Sequence, residues 1–246
     1  MFDFHARLTP GPGAAENLLA ALGEAGVERA AVCAGGVVGL DRLSVQIVDG
    51  GRSKALADNE GVRRACEASG GRLVPFFFAD PYRDAEGYRD SAHRFRGLEI
   101  SPAVHGFRLD DPRVDALVRI AAQHRHPVYV VCLGRAGTRT EDLVVLAARH
   151  PDVTFVSGHC GHTGLDAAGL NLVAPLPNIA VELSGCFTAV ARLAVRRLGA
   201  HRVLFGTEHP LQHPSVEVAK LRALDLPPDE LALVAGGNAD RILERR

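Results

Sequence analysis

The stretch FDFHARL, residues 2–8, opens the chain and carries the clearest structural signal in the sequence. Apolar residues alternate strictly with Asp3, His5 and Arg7, and a period of two is the period of a β-strand. Because side chains two positions apart point to the same face of a strand, the side chains of His5 and Arg7 are expected to share one face. The pattern predicts a strand that delivers a histidine and an arginine to one common site.

The same kind of segment recurs along all 246 residues, as short β-branched or aromatic runs separated by longer amphipathic segments. Eight such runs, each followed by a helical segment, predict an α/β protein with a (β/α)₈ barrel, formed as a single domain over residues 1–246. The predicted strands are Phe2–His5, Arg29–Cys33, Leu73–Phe78, Val104–Leu109, Val128–Cys132, Thr154–Gly158, Ile179–Leu183 and Val203–Gly206.

An open doubly wound sheet is the alternative architecture, and it usually carries a glycine-rich phosphate loop after its first strand. Here AGGVVG, residues 34–39, follows the second predicted strand and lacks the GxGxxG spacing. Residues 35–53 form the longest predicted irregular segment, of the kind that often acts as a lid or binding loop. The barrel is therefore the favoured fold.

Composition limits the classes of partner. Twenty-eight basic and 29 acidic residues are well mixed, which argues against nucleic acid and against an anionic membrane. Five widely spaced cysteines without a CxxC pair predict reduced thiols. No signal peptide and no membrane-length apolar run occurs, so we expect a cytoplasmic protein that acts on a small molecule.

In a barrel of this type the functional groups lie at the C-terminal ends of the strands. The polar residues that follow the predicted strands are His5, Arg7, Arg108, His159, Ser184, Glu208 and His209. An arginine that points into a barrel is costly unless it pairs with a carboxylate or binds an anion, because it cannot lose its charge. Arg7 and Arg108 are therefore predicted to bind an anionic substrate or an oxyanion. Asp3, deeper in the barrel, is expected to be structural and to neutralise part of the charge of Arg7.

Six segments in order resemble the amidohydrolase superfamily, specifically its amidohydrolase-2 branch of lactonases and metal-dependent decarboxylases. FDFHARL resembles the opening D-x-H-x-H strand, and ALADNEGVRRACEASGGRLVPFFFADP resembles the Asn-bearing helix and the strand that ends in a D-P turn. HGFRL resembles the G-[FV]-[KR]-L strand, FVSGHCG the sixth-strand glycine-histidine-glycine element, VLFGTEHP the closing F-G-[ST]-D-x-P strand, and GGNADRIL the last helix. The resemblance spans residues 2–243.

The resemblance implies one or two divalent ions held by histidines of strands one, five and six and by an aspartate of strand eight. This chain departs from that set: Arg7 replaces the second histidine of H-x-H, Val131 stands where relatives have the fifth-strand histidine, and Glu208 replaces the aspartate. His5 and His159 remain. Together with Glu208 they leave a reduced ligand set that could hold one Zn²⁺ or Mn²⁺.

The favoured hypothesis is a metal-independent, lactonase-like hydrolase without a cofactor that acts on a small anionic lactone, cyclic amide or related carbonyl compound. Glu208 is its predicted general base, His159 and His5 are its other catalytic residues, and the predicted substrate-binding residues are Arg7, Arg108, His209 and Ser184. The alternatives are a zinc- or manganese-dependent hydrolase or decarboxylase that uses His5, His159 and Glu208, and a catalytically silent binding or partner protein. A homodimer is compatible with the resemblance.

Overall fold

Eight parallel strands pair in chain order in the computed structural model, which describes residues 1–244 with the exception of the Thr163 side chain. Backbone hydrogen bonds from Phe4 to Phe205 (2.9 Å) and from Glu208 to His5 (2.8 Å) join the last strand to the first. The predicted (β/α)₈ barrel is confirmed. The strands are β1 (Phe2–Leu8), β2 (Arg29–Ala34), β3 (Leu73–Ala79), β4 (Gly97–Ile100), β5 (Val128–Val130), β6 (Phe155–Ser157), β7 (Ile179–Glu182) and β8 (Val203–Leu204).

Helices cover the outside of this barrel and end shortly before the next strand. Proline at the first helical position and an aspartate or histidine cap open several of them, as Asp111 does by accepting the backbone N–H of Arg113 at 2.9 Å. The α-helices are α1 (Ala14–Glu24), α2 (Leu40–Asp49), α3 (Asn59–Ala68), α4 (Ala85–Ser91), α5 (Pro102–His105), α6 (Pro112–Gln123), α7 (Thr140–Arg149), α8 (Ala167–Val173), α9 (Thr188–Leu198), α10 (Pro214–Arg222), α11 (Pro228–Ala232) and α12 (Asn238–Leu243).

The predicted fourth strand, Val104–Leu109, is wrong. Residues 102–105 form the short helix α5, which begins at Pro102 and ends at Gly106 in the left-handed region with φ 61°. A Cβ at Gly106 would lie 2.3 Å from the carbonyl oxygen of Gly51, so the chain must turn there and only glycine fits. The fourth strand is instead Gly97–Ile100, in which the buried Glu99 conceals the apolar pattern.

The segment 35–53, predicted as irregular, contains the helix α2 near the C-terminal mouth of the barrel. Gln46, which is buried, ties this helix to the loop after β4 by donating to the carbonyl oxygens of Ala103 (2.8 Å) and Val104 (3.2 Å). Several of its apolar residues stay exposed, Val48 by 71% and Leu40 by 65%. An exposed apolar helix face at a barrel mouth is typical of a binding wall.

Inside the barrel, aromatic rings fill the space below the mouth. Phe4 and Phe76 are fully or almost fully buried and meet edge to face with ring centroids 5.5 Å apart. Burying each such ring contributes about 1.5–3 kcal/mol to the stability of the fold, so this aromatic layer stabilises the barrel beneath the polar groups. Among residues 1–244, the helices are all too short or too polar to cross a bilayer.

Candidate active site

Arg7 lies between two carboxylates at the C-terminal mouth of the barrel. Its Nε donates to Glu208 at 2.8 Å, and its Nη2 donates to Glu99 at 2.6 Å. Its Nη1 contacts the Cys33 thiol at 3.4 Å. The three guanidinium nitrogens are thus directed at three different strand ends, and the side chain is only 13% exposed. A planar fork of donors suits this bridging geometry better than a flexible lysine would.

His5 bridges the same two carboxylates from below. Its Nε2 lies 3.1 Å from Glu99, and its Nδ1 forms a close ion-pair contact with Glu208. The ring stacks on Tyr129 with centroids 3.9 Å apart. Because both ring nitrogens face carboxylate oxygens, the doubly protonated imidazolium is the favoured form.

The cluster of Arg7, His5, Glu99 and Glu208 balances its own charge. Burial alone would raise the pKa of both carboxyl groups, but the positive charges of Arg7 and His5 outweigh it, lowering the pKa of Glu99 to about 2 and that of Glu208 well below its usual value. Burial would lower the pKa of His5, but the charges of Glu208 and Glu99 raise it well above its usual value. Two cations and two anions therefore share one buried site.

Asp3 holds the backbone that presents Glu208. Its Oδ1 accepts from the backbone N–H groups of His5 and Thr207, each at 2.9 Å, and its Oδ2 accepts from the Thr207 hydroxyl at 2.5 Å. Glu208 follows in the left-handed region with φ 55°, a strained conformation for glutamate that the neighbouring bonds support. Asp3 makes no contact with Arg7, and burial raises the pKa of this carboxyl to about 7. The expected neutralisation of Arg7 by Asp3 is wrong, since Glu99 and Glu208 supply it.

His159 approaches Glu208 from β6 in a similarly strained conformation, with φ 58°. Its Nδ1 lies 3.1 Å from the carbonyl oxygen of Ser184, and the Ser184 hydroxyl donates to Glu182 at 2.8 Å. Because a carbonyl only accepts, the Nδ1 of His159 carries a hydrogen. Its Nε2 then faces Glu208, 3.8 Å from Oε2.

A cavity of about 810 Å³ opens directly above Glu208 and His159. The other charged or titratable side chains on its wall, within the described chain, are Arg7, Arg135, His162 and Cys132. Most of the remaining wall is apolar, with residues from α2 and from the loops after β5 and β8. A largely apolar cleft with a few convergent polar groups is the usual form of a small-molecule site.

Four of the predicted site residues do not line this cavity in the described part of the chain: His5, Ser184, His209 and Arg108. His5 and Ser184 are buried behind Glu208 and His159 and contact them from the side away from the cavity. His209 is half-buried, and its backbone carbonyl accepts the N–H of Arg7 at 2.7 Å. These three residues contact groups of the site but do not line the cavity.

Arg108 lies outside the barrel mouth, and its predicted place at a strand end is wrong. Its side chain is 56% exposed and pairs with Asp110 at 2.7 Å. Since the true fourth strand ends at Ile100, Arg108 follows a helix and a turn instead of a strand.

We expect Arg108→Met to leave kcat/KM within about twofold of the parent value, because an exposed pair with a neighbouring aspartate contributes little. Steady-state kinetics on any substrate that the enzyme accepts would measure this. A large loss of kcat/KM in this variant would show that Arg108 contributes to the substrate site.

Glu99 is the functional residue that sequence reasoning missed. It takes the place on β4 where Arg108 was predicted, and it is a fully buried anion instead of a cation. The signal was present: Glu99 stands within the apolar run GLEI, and a charged residue inside a buried strand calls for a partner.

His5, His159 and Glu208 each offer a ligand atom, and these atoms lie within 4.8 Å of one another. His5, Cys33 and Glu99 form a second group of the same size. Either group has the donor types that bind zinc or manganese.

The fold and the site together define a barrel enzyme with its polar cluster at the C-terminal mouth. The amidohydrolase-2 family model, described as amidohydrolase, matches residues 3–245. The chain therefore belongs to the amidohydrolase family, which supports the prediction of an amidohydrolase-like enzyme over that of a silent binding protein.

Solved structures show the same fold at low sequence identity. A protein provisionally identified as a 2-pyrone-4,6-dicarboxylic acid hydrolase from Pseudomonas putida is 16% identical with a TM-score of 0.73, over 99% of this chain and 97% of that one. A 2,6-dihydroxybenzoate decarboxylase from Rhizobium is 15% identical with a TM-score of 0.71, over 99% and 98%.

The 5-carboxyvanillate decarboxylase from Novosphingobium aromaticivorans, in complex with manganese and 4-hydroxy-3-methoxy-5-nitrobenzoic acid, is 17% identical with a TM-score of 0.68, over 96% of this chain and 84% of that one. No curated protein matches the chain. At these identities the likenesses show the fold alone.

Proposed function

We propose that this protein is a metal-independent hydrolase that acts on a small anionic lactone, cyclic amide or related carbonyl compound, with Glu208 as its general base. One observation carries the proposal: the Glu208 carboxylate lies on the cavity wall and is held ionised by Arg7 and His5. An ionised carboxylate beside a cavity can accept a proton from water.

In the proposed reaction Glu208 takes a proton from a water molecule as the water oxygen attacks the substrate carbonyl. The carbonyl π electrons move to its oxygen, and the guanidinium of Arg7 stabilises the negative charge. When the tetrahedral intermediate collapses, the bond to the leaving oxygen or nitrogen breaks. The proton taken up by Glu208 returns to the leaving group directly or through His159, whose Nε2 lies 3.8 Å from Glu208.

Arg7 suits the oxyanion better than a substrate carboxylate. Two of its nitrogens already donate to Glu99 and Glu208, so a third full anion would compete with the catalytic base for the same cation. An oxyanion that exists only in the transition state needs no such displacement.

The charge arrangement around Glu208 supports the metal-independent proposal. Glu208 uses one oxygen on Arg7 and the other on His5, and both nitrogens of His5 face carboxylates. A dication placed among His5, His159 and Glu208 would lie near a guanidinium that cannot lose its proton, in a site poorly screened by water. Arg7 and His5 supply the positive charge that a metal would bring.

We therefore expect purified protein to contain substoichiometric zinc and manganese. Chelator treatment should change kcat by no more than about twofold, because only an enzyme that needs a structural or catalytic ion loses activity when the ion is removed. Metal analysis by mass spectrometry, followed by an assay after dialysis against a chelator, measures both. Arg7→His, which restores the H-x-H pattern, is the matched variant and should gain metal. Stoichiometric metal in the parent protein that is lost in His159→Ala would contradict the metal-independent proposal.

The second candidate is a zinc- or manganese-dependent hydrolase or decarboxylase, and the compact group of His5, His159 and Glu208 favours it. A panel of aryl lactones, cyclic amides and hydroxybenzoates separates the two reactions, because hydrolysis adds water whereas decarboxylation releases carbon dioxide. Glu208→Gln and Arg7→Ala are the controls. Hydrolysis that is as fast in both variants as in the parent protein would contradict the proposed mechanism.

A further inference from the structure

Arg135 is a charged group of the cavity wall that neither the polar cluster nor the proposed reaction uses. It follows β5 on a tight turn, where the backbone carbonyl of Arg135 accepts from the N–H (3.0 Å) and the hydroxyl (2.8 Å) of Thr138. Leu133 donates to the carbonyl of the same threonine at 2.7 Å. The turn is therefore held at both ends, and the side chain starts from a defined position.

The side chain of Arg135 contacts the last turn of α2. Its Nη1 donates to the carbonyl oxygen of Ile47 at 3.0 Å and also to that of Gln46. These carbonyls are the negative end of the helix, which attracts a cation but carries only a partial charge. Within residues 1–244, Arg135 has no ion pair with a carboxylate, so its full positive charge is left unmatched.

The other basic side chains of the cavity wall that the structure describes already face carboxylates. Arg7 is paired with Glu99 and Glu208, and His162 lies 3.3 Å from the Asp166 carboxylate. A single unmatched guanidinium beside an otherwise apolar wall favours a ligand with one anionic group. Because Nη1 makes both contacts with the helix, Nε and Nη2 of Arg135 have no partner among the described residues and remain able to hold a carboxylate through two hydrogen bonds.

We propose, on the basis of the function proposed above, that Arg135 determines substrate specificity by binding a carboxylate at the end of the substrate away from the reacting carbonyl. The body of such a substrate is apolar, because Leu43, Ile47 and Leu133 line the wall near this arginine. The substrate class narrows to carbonyl compounds with an apolar or aromatic body and a terminal carboxylate. The anion is then recognised by Arg135, while Arg7 is left for the transition state.

Calorimetric titration with two probes of the same shape tests the assignment: 3-phenylpropanoate, which is anionic, and 3-phenylpropanamide, which is neutral. The parent protein should bind the acid more tightly, and Arg135→Met should weaken acid binding by about tenfold or more, since a charge-assisted bidentate contact is lost. Binding of the amide should change by no more than about twofold, and Arg135→Lys should keep part of the preference.

Arg139→Met is the matched control. Arg139 is exposed on the same loop and donates to the Gly134 carbonyl at 3.0 Å, but it does not line the cavity. The Arg139→Met variant should leave the affinities for the acid and for the amide unchanged. Equal losses for acid and amide in Arg135→Met would assign Arg135 a structural role and overturn the proposal, as would a parent protein that binds neither probe or does not prefer the acid.

Repeating the titration in Glu208→Gln separates this proposal from the hydrolase proposal. Acid preference that persists in Glu208→Gln and depends on Arg135 supports the specificity assignment even if no member of the lactone and amide panel is hydrolysed. The opposite outcome is hydrolysis that depends on Glu208 while the preference for substrates with a carboxylate is the same in the parent and in Arg135→Met. That result would support the proposed reaction and overturn the role of Arg135.

Discussion

Glu208→Gln should lower kcat by about 10²–10⁴-fold, the range by which a positioned general base accelerates a reaction. The amide keeps the shape of the side chain and its contact with Arg7 but cannot accept a proton from water. Substrate binding should change far less, because the apolar wall of the cavity and Arg135 remain. Steady-state kinetics that separate kcat from KM would measure this result.

Glu217→Gln is the matched control for this loss. Glu217 is also a buried carboxylate, pairs with Lys220, and lies outside the cavity wall. Its variant should keep kcat within about threefold, since it touches no reacting group. If Glu208→Gln retained the kcat of the parent protein, Glu208 would not be the base.

Glu99→Gln should destabilise the fold by about 3–5 kcal/mol, because removing one partner of a buried ion pair leaves the other charge uncompensated. Glu99 is fully buried and is the contact of both Arg7 (2.6 Å) and His5 (3.1 Å). Denaturant unfolding of the parent and the variant gives the free energy of unfolding directly.

The double variant Arg7→Met with Glu99→Gln tests whether the loss comes from the pair. If the two residues are coupled, the double variant should be less destabilised than the sum of the single variants by about 1 kcal/mol or more. Additive losses would show that the residues act independently and would contradict the charge-balanced cluster.

The pH dependence of the same measurement has a defined sign. The pKa of Glu99 is lowered to about 2 in the folded protein, below its ordinary value of 4.5. Its contribution to stability is therefore fully present above pH 4.5 and is lost as the pH falls toward 2. The difference in the free energy of unfolding between parent and Glu99→Gln should shrink over that window.

Much of the fold could be predicted from local pattern. Strand periodicity located seven of the eight strands to within a few residues, because apolar runs between turn residues are a local property. The prediction of the fourth strand was wrong because Glu99, judged from the local sequence, resembles a surface residue. In the structure its partners are Arg7 and His5, which lie 92 and 94 positions away in the chain. Helix α2 was not predicted, because glycines at 35, 36 and 39 before it and at 50 and 51 after it make the whole segment resemble an irregular loop.

The sequence by itself determined the barrel and the family, since these depend on strand periodicity and on motifs contained in short segments. It also predicted the group of His5, His159 and Glu208, whose potential ligand atoms lie within 4.8 Å of one another in the structure. Only the tertiary structure decided how the charges are matched. Arg7 is neutralised by Glu99 and Glu208, Arg108 lies outside the mouth, and Arg135 lines the cavity without a carboxylate partner among the described residues. Charge matching depends on distances between strand ends far apart in the chain, and at a few ångströms in a buried site such distances decide which charged groups are already paired.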